Sequence, residues 1–473
     1  MLYNSLEFAL FLLAVLTLYY CLSFRAQNVL LILASYFFYG WWDWRFCGLL
    51  FFLTALNYFS ALVIHSESPH RRTYLWINIT GNLAVLGFFK YYNFFAESLA
   101  TALSHLGIHP YLPLLHIILP IGVSFYTFQM MGYTIDVYKG RFPATRDFIS
   151  VAAFMSFFPQ LLSGPIERAG HMIPQFQKPR IVDAHKISSG LLLVFIGLFK
   201  KIAIADAVSP EVSNVFSHVS TTPWPELIGA LWFFTIQIYA DFSGYTDIAR
   251  GVACLFGFDL MINFNHPFFA ANITEHWRRW HISLSTWFRD YLYITLGGNR
   301  KGSTTTYRNI LLTMMLCGLW HGANWTYVLW GTLHGLYLMI HRLIAGGGKI
   351  PPQQSLKNIK ERIKFISGVL LTLHLIFLSW TLFRAQSLND TYIYIEGLIT
   401  FRGSIEGYLF YFCRLAFFVG LVLLIDIPQY LKNDQTVMLT WPWALQGCVY
   451  GFMVILMILL APGNEIPFIY FQF

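Results

Sequence analysis

The chain has 473 residues, of which 56% are hydrophobic and only 11% charged, where an ordinary soluble domain carries roughly 25% charged residues. So few charges cannot cover the core a chain of this length would bury in water, so a soluble fold is excluded and an all-α, polytopic integral membrane protein is expected. The net charge of +8 reads as a topology signal, with attraction to anionic head groups second and nucleic acid not implied.

A helix needs roughly 20 mainly apolar residues to cross a ~30 Å hydrocarbon core. In chain order the candidate spans are 6–22, 29–42, 46–64, 76–89, 117–135, 148–162, 190–204, 227–256, 310–339, 365–382, 407–425 and 442–460. That is about a dozen helices, some short enough to be re-entrant, expected around a central cavity in one membrane-embedded domain over residues 1–473. The first run lacks both a charged leading region and a small-residue cleavage site, so it is expected to be retained.

Lys and Arg stay in short cytoplasmic loops. The loop from Arg342 to Lys364 carries Arg342, Lys349, Lys357, Lys360, Arg362 and Lys364 against one acid, Glu361, and is expected on the cytoplasmic side. Three further spans then place the tail, Ala461 to Phe473, outside. The N-terminus should lie outside too, since Arg25 and the His70-Arg71-Arg72 cluster follow the first and third spans. The six cysteines are scattered, mostly within apolar runs and without CxxC spacing. They read as buried thiols rather than disulfides or metal ligands.

Three stretches interrupt this apolar pattern. The first, Gln237 to Asp247, sets Asp241 and Asp247 inside a span. A buried ion pair with Arg250 or with Arg278 and Arg279 is the expected use of these acids. The second runs from Glu275 to Tyr291, with Trp277, Trp280, Leu284, Trp287 and Tyr291 at helical spacing opposite Arg278, Arg279, Arg289 and Asp290. It reads as one amphipathic helix at the membrane interface, opened by Asn272 with Glu275 three residues on. His281 falls on the border of its two faces, where a protein cavity and the head-group level are equally open to it.

The third stretch, Asn309 to His341, has 33 residues, no charged side chain, and the histidines His321, His334 and His341. As one helix it would be about 50 Å long, too long for a single crossing. The glycines and asparagine of Gly318-Leu319-Trp320-His321-Gly322-Ala323-Asn324-Trp325 are the natural break, and broken backbone at membrane depth persists only beside protein or a cavity. His321 then sits deep, where a polar group is by default functional. His334 and His341, nearer the charged end, take a structural reading.

No Walker loop, dinucleotide fingerprint, GxSxG elbow or HExxH site occurs. Taken together, Asp241-Phe242-Ser243-Gly244-Tyr245, Asn263-Phe264-Asn265, Trp277 through Ser285, Tyr291-Leu292-Tyr293 through Arg300, and Trp320-His321-Gly322-Ala323-Asn324-Trp325 resemble the membrane-bound O-acyltransferase family. The likeness extends to Pro120 through Phe125 and to Gly164-Pro165-Ile166-Glu167-Arg168. It is nearest to the bacterial branch that includes alginate O-acetylation and teichoic-acid D-alanine transfer proteins. Thr295, where proline is common, and the Glu275-His276 pair are small departures that bear on substrate choice.

The resemblance implies that His321 is the catalytic histidine and His281 an accessory position. We place Trp320, Asn324, Asp241 and Arg279 at the substrate. Removing a proton from an attacking hydroxyl suits a neutral imidazole, whose reference pKa is about 6.5. No bound cofactor or metal is expected. Acetyl-CoA is the expected donor, an envelope polysaccharide the acceptor, an extracytoplasmic acyltransferase the partner, and the bacterial inner membrane the location.

Two other classes stay open at this point, a transporter with broken helices and a haem protein with axial histidines. The tail, Pro467 to Phe473, reads either as an aromatic belt or, through Tyr470, as an acyl carrier that folds back toward His321. Its tyrosine resembles that in the small partner peptide of the D-alanine system.

Overall fold

In the computed structural model the described residues are 1–66, 68–110, 112–345, 358–464 and 466–471. Lys349 and Lys357 of the basic loop, with the Gly346–Gly348 and Pro351-Pro352 stretches, lie outside them, as do Gln472 and Phe473. Among the described residues there is no strand, and the chain is all-α. It divides into two compact units, 1–190 with 252–261, and 191–251 with 262–472.

The first unit is built on the helices Leu6–Cys21, Phe24–Asp43, Arg45–His65, Arg71–Leu86 and Val123–Tyr138. Ser5 starts the first of them, its hydroxyl accepting the Phe8 N–H. Apolar packing alone does not select partners in lipid, where interhelical hydrogen bonds and close contacts add the specificity. Here Asn57 Oδ1 accepts from Asn78 Nδ2 at 2.9 Å and from Thr134 Oγ1 at 3.1 Å, tying three helices together at buried positions. The run predicted to span 117–135 becomes helical only at Val123. Pro120 has no N–H to give, and Gly122 turns the chain at φ 76°, where a Cβ would stand 2.8 Å from the Leu161 carbonyl oxygen.

The second unit is organised by Trp224–Leu255, a 32-residue helix whose most apolar window is 89% buried. Ser303–His321 and Trp325–Ile344 form an antiparallel hairpin, so the break in the 309–341 stretch falls at 322–324. Two glycines let the backbones touch. A Cβ on Gly318 would lie 2.1 Å from the Tyr327 carbonyl oxygen, and one on Gly331 would lie 2.1 Å from that of Met314.

Among the described residues, five helices are long and apolar enough to cross a membrane: Arg45–His65, Trp224–Leu255, Ile359–Arg384, Leu409–Lys432 and Trp443–Leu460. Of the other predicted spans, Leu6–Cys21 is a shorter apolar helix, whereas Phe24–Asp43, Ser303–His321 and Trp325–Ile344 are long enough but less apolar. In Trp443–Leu460 only 11% of the apolar window is buried, and Ile458 is 73% exposed. A surface of that kind suits lipid rather than water.

Two expectations are corrected. The stretch from Glu275 onward is not one interfacial helix: it breaks into Ile273–Arg279 and Ile282–Trp287, and Trp277, Trp280, Leu284 and Trp287 are buried in protein. Nor are all the cysteines buried. Cys21, Cys413 and Cys448 are exposed on apolar helices and only Cys317 is fully buried, because helices facing lipid need no apolar–polar division around their circumference.

Candidate active site

His281 stands at the break between the two short helices, in a left-handed backbone conformation with φ 42°. That conformation costs a non-glycine residue roughly 1–3 kcal/mol, so something must hold it. Asn263 does. Its carbonyl accepts the Ile282 N–H at 2.9 Å, and its side-chain oxygen accepts the Ser283 N–H at 3.1 Å and the Ser283 hydroxyl at 2.9 Å. Asn265 adds a strap, its N–H donating to the Arg279 carbonyl at 2.9 Å. The Asn263-Phe264-Asn265 motif is thus a brace for the kink, and the kink turns His281 fully inward, with no exposed surface.

His321 is the last residue of its helix and is 3% exposed. Its ring meets Trp330 nearly perpendicularly at 5.2 Å between centroids, with Trp320 at 5.1 Å and Phe383 at 5.3 Å. The His281 ring is 6.2 Å away. The Tyr470 hydroxyl lies 3.4 Å from His321 Nδ1. The Tyr470 ring packs at 4.0 Å on Phe242, and Phe242 is also 4.7 Å from the His281 ring. Residues remote in sequence, Phe242, His281, Trp320, His321 and Tyr470, therefore line one aromatic chamber, in which the first four are buried and Tyr470 is half-buried.

The remaining predicted site residues sit differently. Trp320 lines the chamber, 5.7 Å from the His281 ring. Asn324 uses both ends of its amide to shape the hairpin turn: its oxygen caps the next helix by accepting the Thr326 N–H at 3.0 Å, and its nitrogen donates to the Gln386 carbonyl at 3.1 Å. Arg279 is engaged by Glu275 at 2.8 Å and by the Asn265 carbonyl at 3.2 Å. His334 is held at both ring nitrogens, by the Trp277 indole at 3.3 Å and by the Ser379 hydroxyl at 3.0 Å.

The expected pairing of Asp247 with Arg250 is present, but each acid lies closer to a lysine that the sequence reading passed over. Asp247 meets Lys200 at 2.7 Å, with Arg250 at 3.9 Å, while Asp241 meets Lys201 at 2.8 Å. Arg278 and Arg279 are not their partners. Lys200 and Lys201 fall inside the predicted 190–204 span. They lie in a π-helical stretch, Lys200–Asp206, directly after Ala184–Phe199. Two lysines closing an apolar run signal buried partners, because charge at membrane depth is costly unless it is paired.

A base within reach of a hydroxyl among aromatic side chains is an arrangement for moving a group onto or off an oxygen. Residues 142–383 match the membrane-bound O-acyltransferase family. The chain is also 43% identical over 384 residues to the probable alginate O-acetylase of Pseudomonas putida, covering 80% of this chain and 76% of that protein. The chain belongs to the membrane-bound O-acyltransferase family. It is an O-acyltransferase, which decides against the transporter and haem-protein alternatives. The peptidoglycan O-acetyltransferase of Helicobacter pylori is 35% identical over 418 residues, 81% of this chain and 77% of that one. The teichoic acid D-alanyltransferase of Streptococcus thermophilus is 29% identical over 292 residues, 57% of this chain and 69% of that one.

Proposed function

We propose that this acyltransferase takes an acetyl group from acetyl-CoA on the cytoplasmic side and delivers it outward for O-acetylation of a cell-envelope or exported polysaccharide. His321 acts as general base and Tyr470 as transient carrier. The observation that carries this reading is the 3.4 Å approach of the Tyr470 hydroxyl to His321 Nδ1. With Nδ1 unprotonated, the imidazole takes the phenol proton as the oxygen attacks the thioester carbonyl. The C–S bond breaks, the thiolate leaves and recovers the proton, and Tyr470 holds an acetyl ester. An extracytoplasmic partner transferase then accepts the acetyl group on a serine and passes it to the polymer, regenerating the phenol. A phenol, with a reference pKa of about 10, leaves an ester more readily than an alkoxide does.

The bacterial inner membrane is the setting this reading requires, with the Arg342–Lys364 loop inside and the 466–471 segment facing outward. The names of the Pseudomonas and Helicobacter relatives, which concern alginate and peptidoglycan, support acetyl as the acyl group and an envelope glycan as the acceptor. His281, buried 6.2 Å from the rings of both His321 and Tyr470, serves as the accessory polar group. The test is transfer of radiolabel from acetyl-CoA to the purified protein in proteoliposomes. Label on the Tyr470 peptide, lost in His321→Ala, is expected; label retained by a well-folded His321→Ala protein would overturn the reading.

A further inference from the structure

Asp241 has two oxygens with two different partners. Oδ1 lies 2.8 Å from Lys201 Nζ, which also holds Asp206 Oδ1 at 2.7 Å. Oδ2 accepts the backbone N–H of Ile469 at 2.7 Å. Lys201 is fully buried, Asp206 2% and Asp241 3% exposed. One ammonium shared by two carboxyl groups in a desolvated place leaves the second oxygen of Asp241 needing a donor of its own. The 466–471 segment supplies one. Lys201 makes a second hold on the same segment, its ammonium 4.4 Å from the centroid of the Phe468 ring, an attraction of cation for aromatic face that strengthens when water is excluded. Phe468 is also gripped edge-on by Tyr245 at 5.0 Å.

These contacts fall on the two residues immediately before Tyr470. The residue after Asp241 on the same helix, Phe242, packs against the Tyr470 ring itself. A pair that only braced helices would not spend its second carboxylate oxygen on this segment. We infer that Lys201 and Asp241 are positioning residues that clasp the 466–471 segment and set the Tyr470 oxygen against His321. The inference rests on the reading of Tyr470 as acyl carrier. Seating matters for rate because a displacement of about 1 Å at a reacting atom costs on the order of 100-fold.

The test leaves the buried ion pair intact. Ile469→Pro removes the donated N–H, and the isoleucine side chain with it, at the first residue of a single helical turn, Ile469–Phe471, a position that proline commonly occupies. Ile469→Ala loses the side chain and keeps the N–H, so it is the reference. Both are made in the full chain, reconstituted with acetyl-CoA. The rate of Tyr470 acetylation is read by mass spectrometry, and deuterium uptake at the Tyr470 and Phe471 amides is read alongside. Relative to Ile469→Ala, the proline variant is expected to acetylate Tyr470 at least tenfold more slowly, in kcat with KM for acetyl-CoA unchanged, and to exchange those amides at least tenfold faster. Equal rates and equal exchange in the two variants, with Tyr470→Phe blocking transfer, overturn the clasp and leave the carrier standing. Normal transfer by Tyr470→Phe overturns the carrier and, with it, the clasp's part in transfer.

Discussion

The Tyr470 hydroxyl and His321 Nδ1 meet at 3.4 Å although 149 positions separate the two residues in the chain. His321 arrives at the end of a helix that stops at Gly322, and Tyr470 arrives on a short segment held by Asp241. Neither helix geometry nor local sequence brings them together. The contact exists because a hairpin turn, a kink at His281 and a buried ion pair each fix one wall of the same chamber.

Replacing His321 with alanine is expected to lower acetyl transfer by about 100-fold to 10,000-fold, the usual worth of a general base. The protein should still extract as a single species, since the ring's neighbours are mainly aromatic and its loss leaves no unpaired charge. Transfer within threefold of wild type would remove His321 from the chemistry.

His281 offers a sharper comparison because its backbone lies at φ 42°. Asparagine tolerates the left-handed region and alanine does not. His281→Asn should therefore keep more thermal stability than His281→Ala, by about 1 kcal/mol, while both lose activity. If the two are equally stable, the kink is not held where the structure has it. If both remain fully active, the imidazole is only a filler of the chamber.

The glycine contact in the hairpin gives a third expectation. A methyl group at Gly331 would collide with the Met314 carbonyl oxygen, 2.1 Å away, and that oxygen cannot swing aside inside a helix. Gly331→Ala must push the helices apart, with an expected cost of about 1–3 kcal/mol from overpacking and a displaced His321. Activity should fall more than tenfold, while Gly420→Ala, where the added carbon meets nothing within 4 Å, should behave as wild type. Equal activity of the two variants would show that the hairpin spacing does not govern His321.

Much of this was legible in the sequence, and the parts that were not share a cause. The helix break beside His321 was readable because Gly318, Gly322 and Asn324 weaken a charge-free run too long for one crossing. The kink at His281 was not, since the apolar period continues unbroken from Trp277 through Trp280 to Leu284 and Trp287. Only Asn263, on a separate segment, shows that the backbone turns there. Lys201 was missed likewise. Its partners Asp206 and Asp241 come from two different helical segments, and a lysine at the end of an apolar run looks like a span boundary until the acid facing it is known.

One pH effect lies away from the chamber. His171 Nδ1 is 2.9 Å from Glu167 Oε2, and the other Glu167 oxygen accepts the Met261 N–H. The hydrogen bond to Glu167, with its charge adding, raises the His171 pKa above its ordinary 6.5 against an opposing desolvation. A raised folded value means that the stabilisation is complete below pH 6.5 and is lost as pH climbs through the folded pKa. Because the His171 side chain is 46% exposed, the effect should stay below about 1 kcal/mol. Thermal stability should decline over that window in the native protein, and this component should vanish in His171→Gln. Identical pH slopes for the two proteins would show that the pair contributes nothing.

The last prediction concerns Tyr470, for which an aromatic anchor and an acyl carrier make opposite forecasts. Tyr470→Phe removes one oxygen and leaves the ring, so its tilted packing on Phe242 at 4.0 Å and its place 5.9 Å from the His321 ring are preserved. An anchor needs only those contacts, and the variant would then acetylate polymer normally. A carrier needs the hydroxyl, and the variant would then bind acetyl-CoA with unchanged affinity, form no acetyl ester and transfer nothing outward. The expected result is loss of polymer acetylation by 100-fold or more, the scale on which a removed nucleophile is felt when solvent cannot replace it. Quenched single-turnover reactions with labelled acetyl-CoA separate the forecasts. Wild type should show a burst of label on the peptide containing Tyr470 that decays only when the partner transferase is added, and the phenylalanine variant should show no burst. A burst of the same size on another residue of Tyr470→Phe would move the carrier elsewhere in the chamber. Steady polymer acetylation with no protein-bound label in either protein would mean direct transfer, with Tyr470 as an anchor alone.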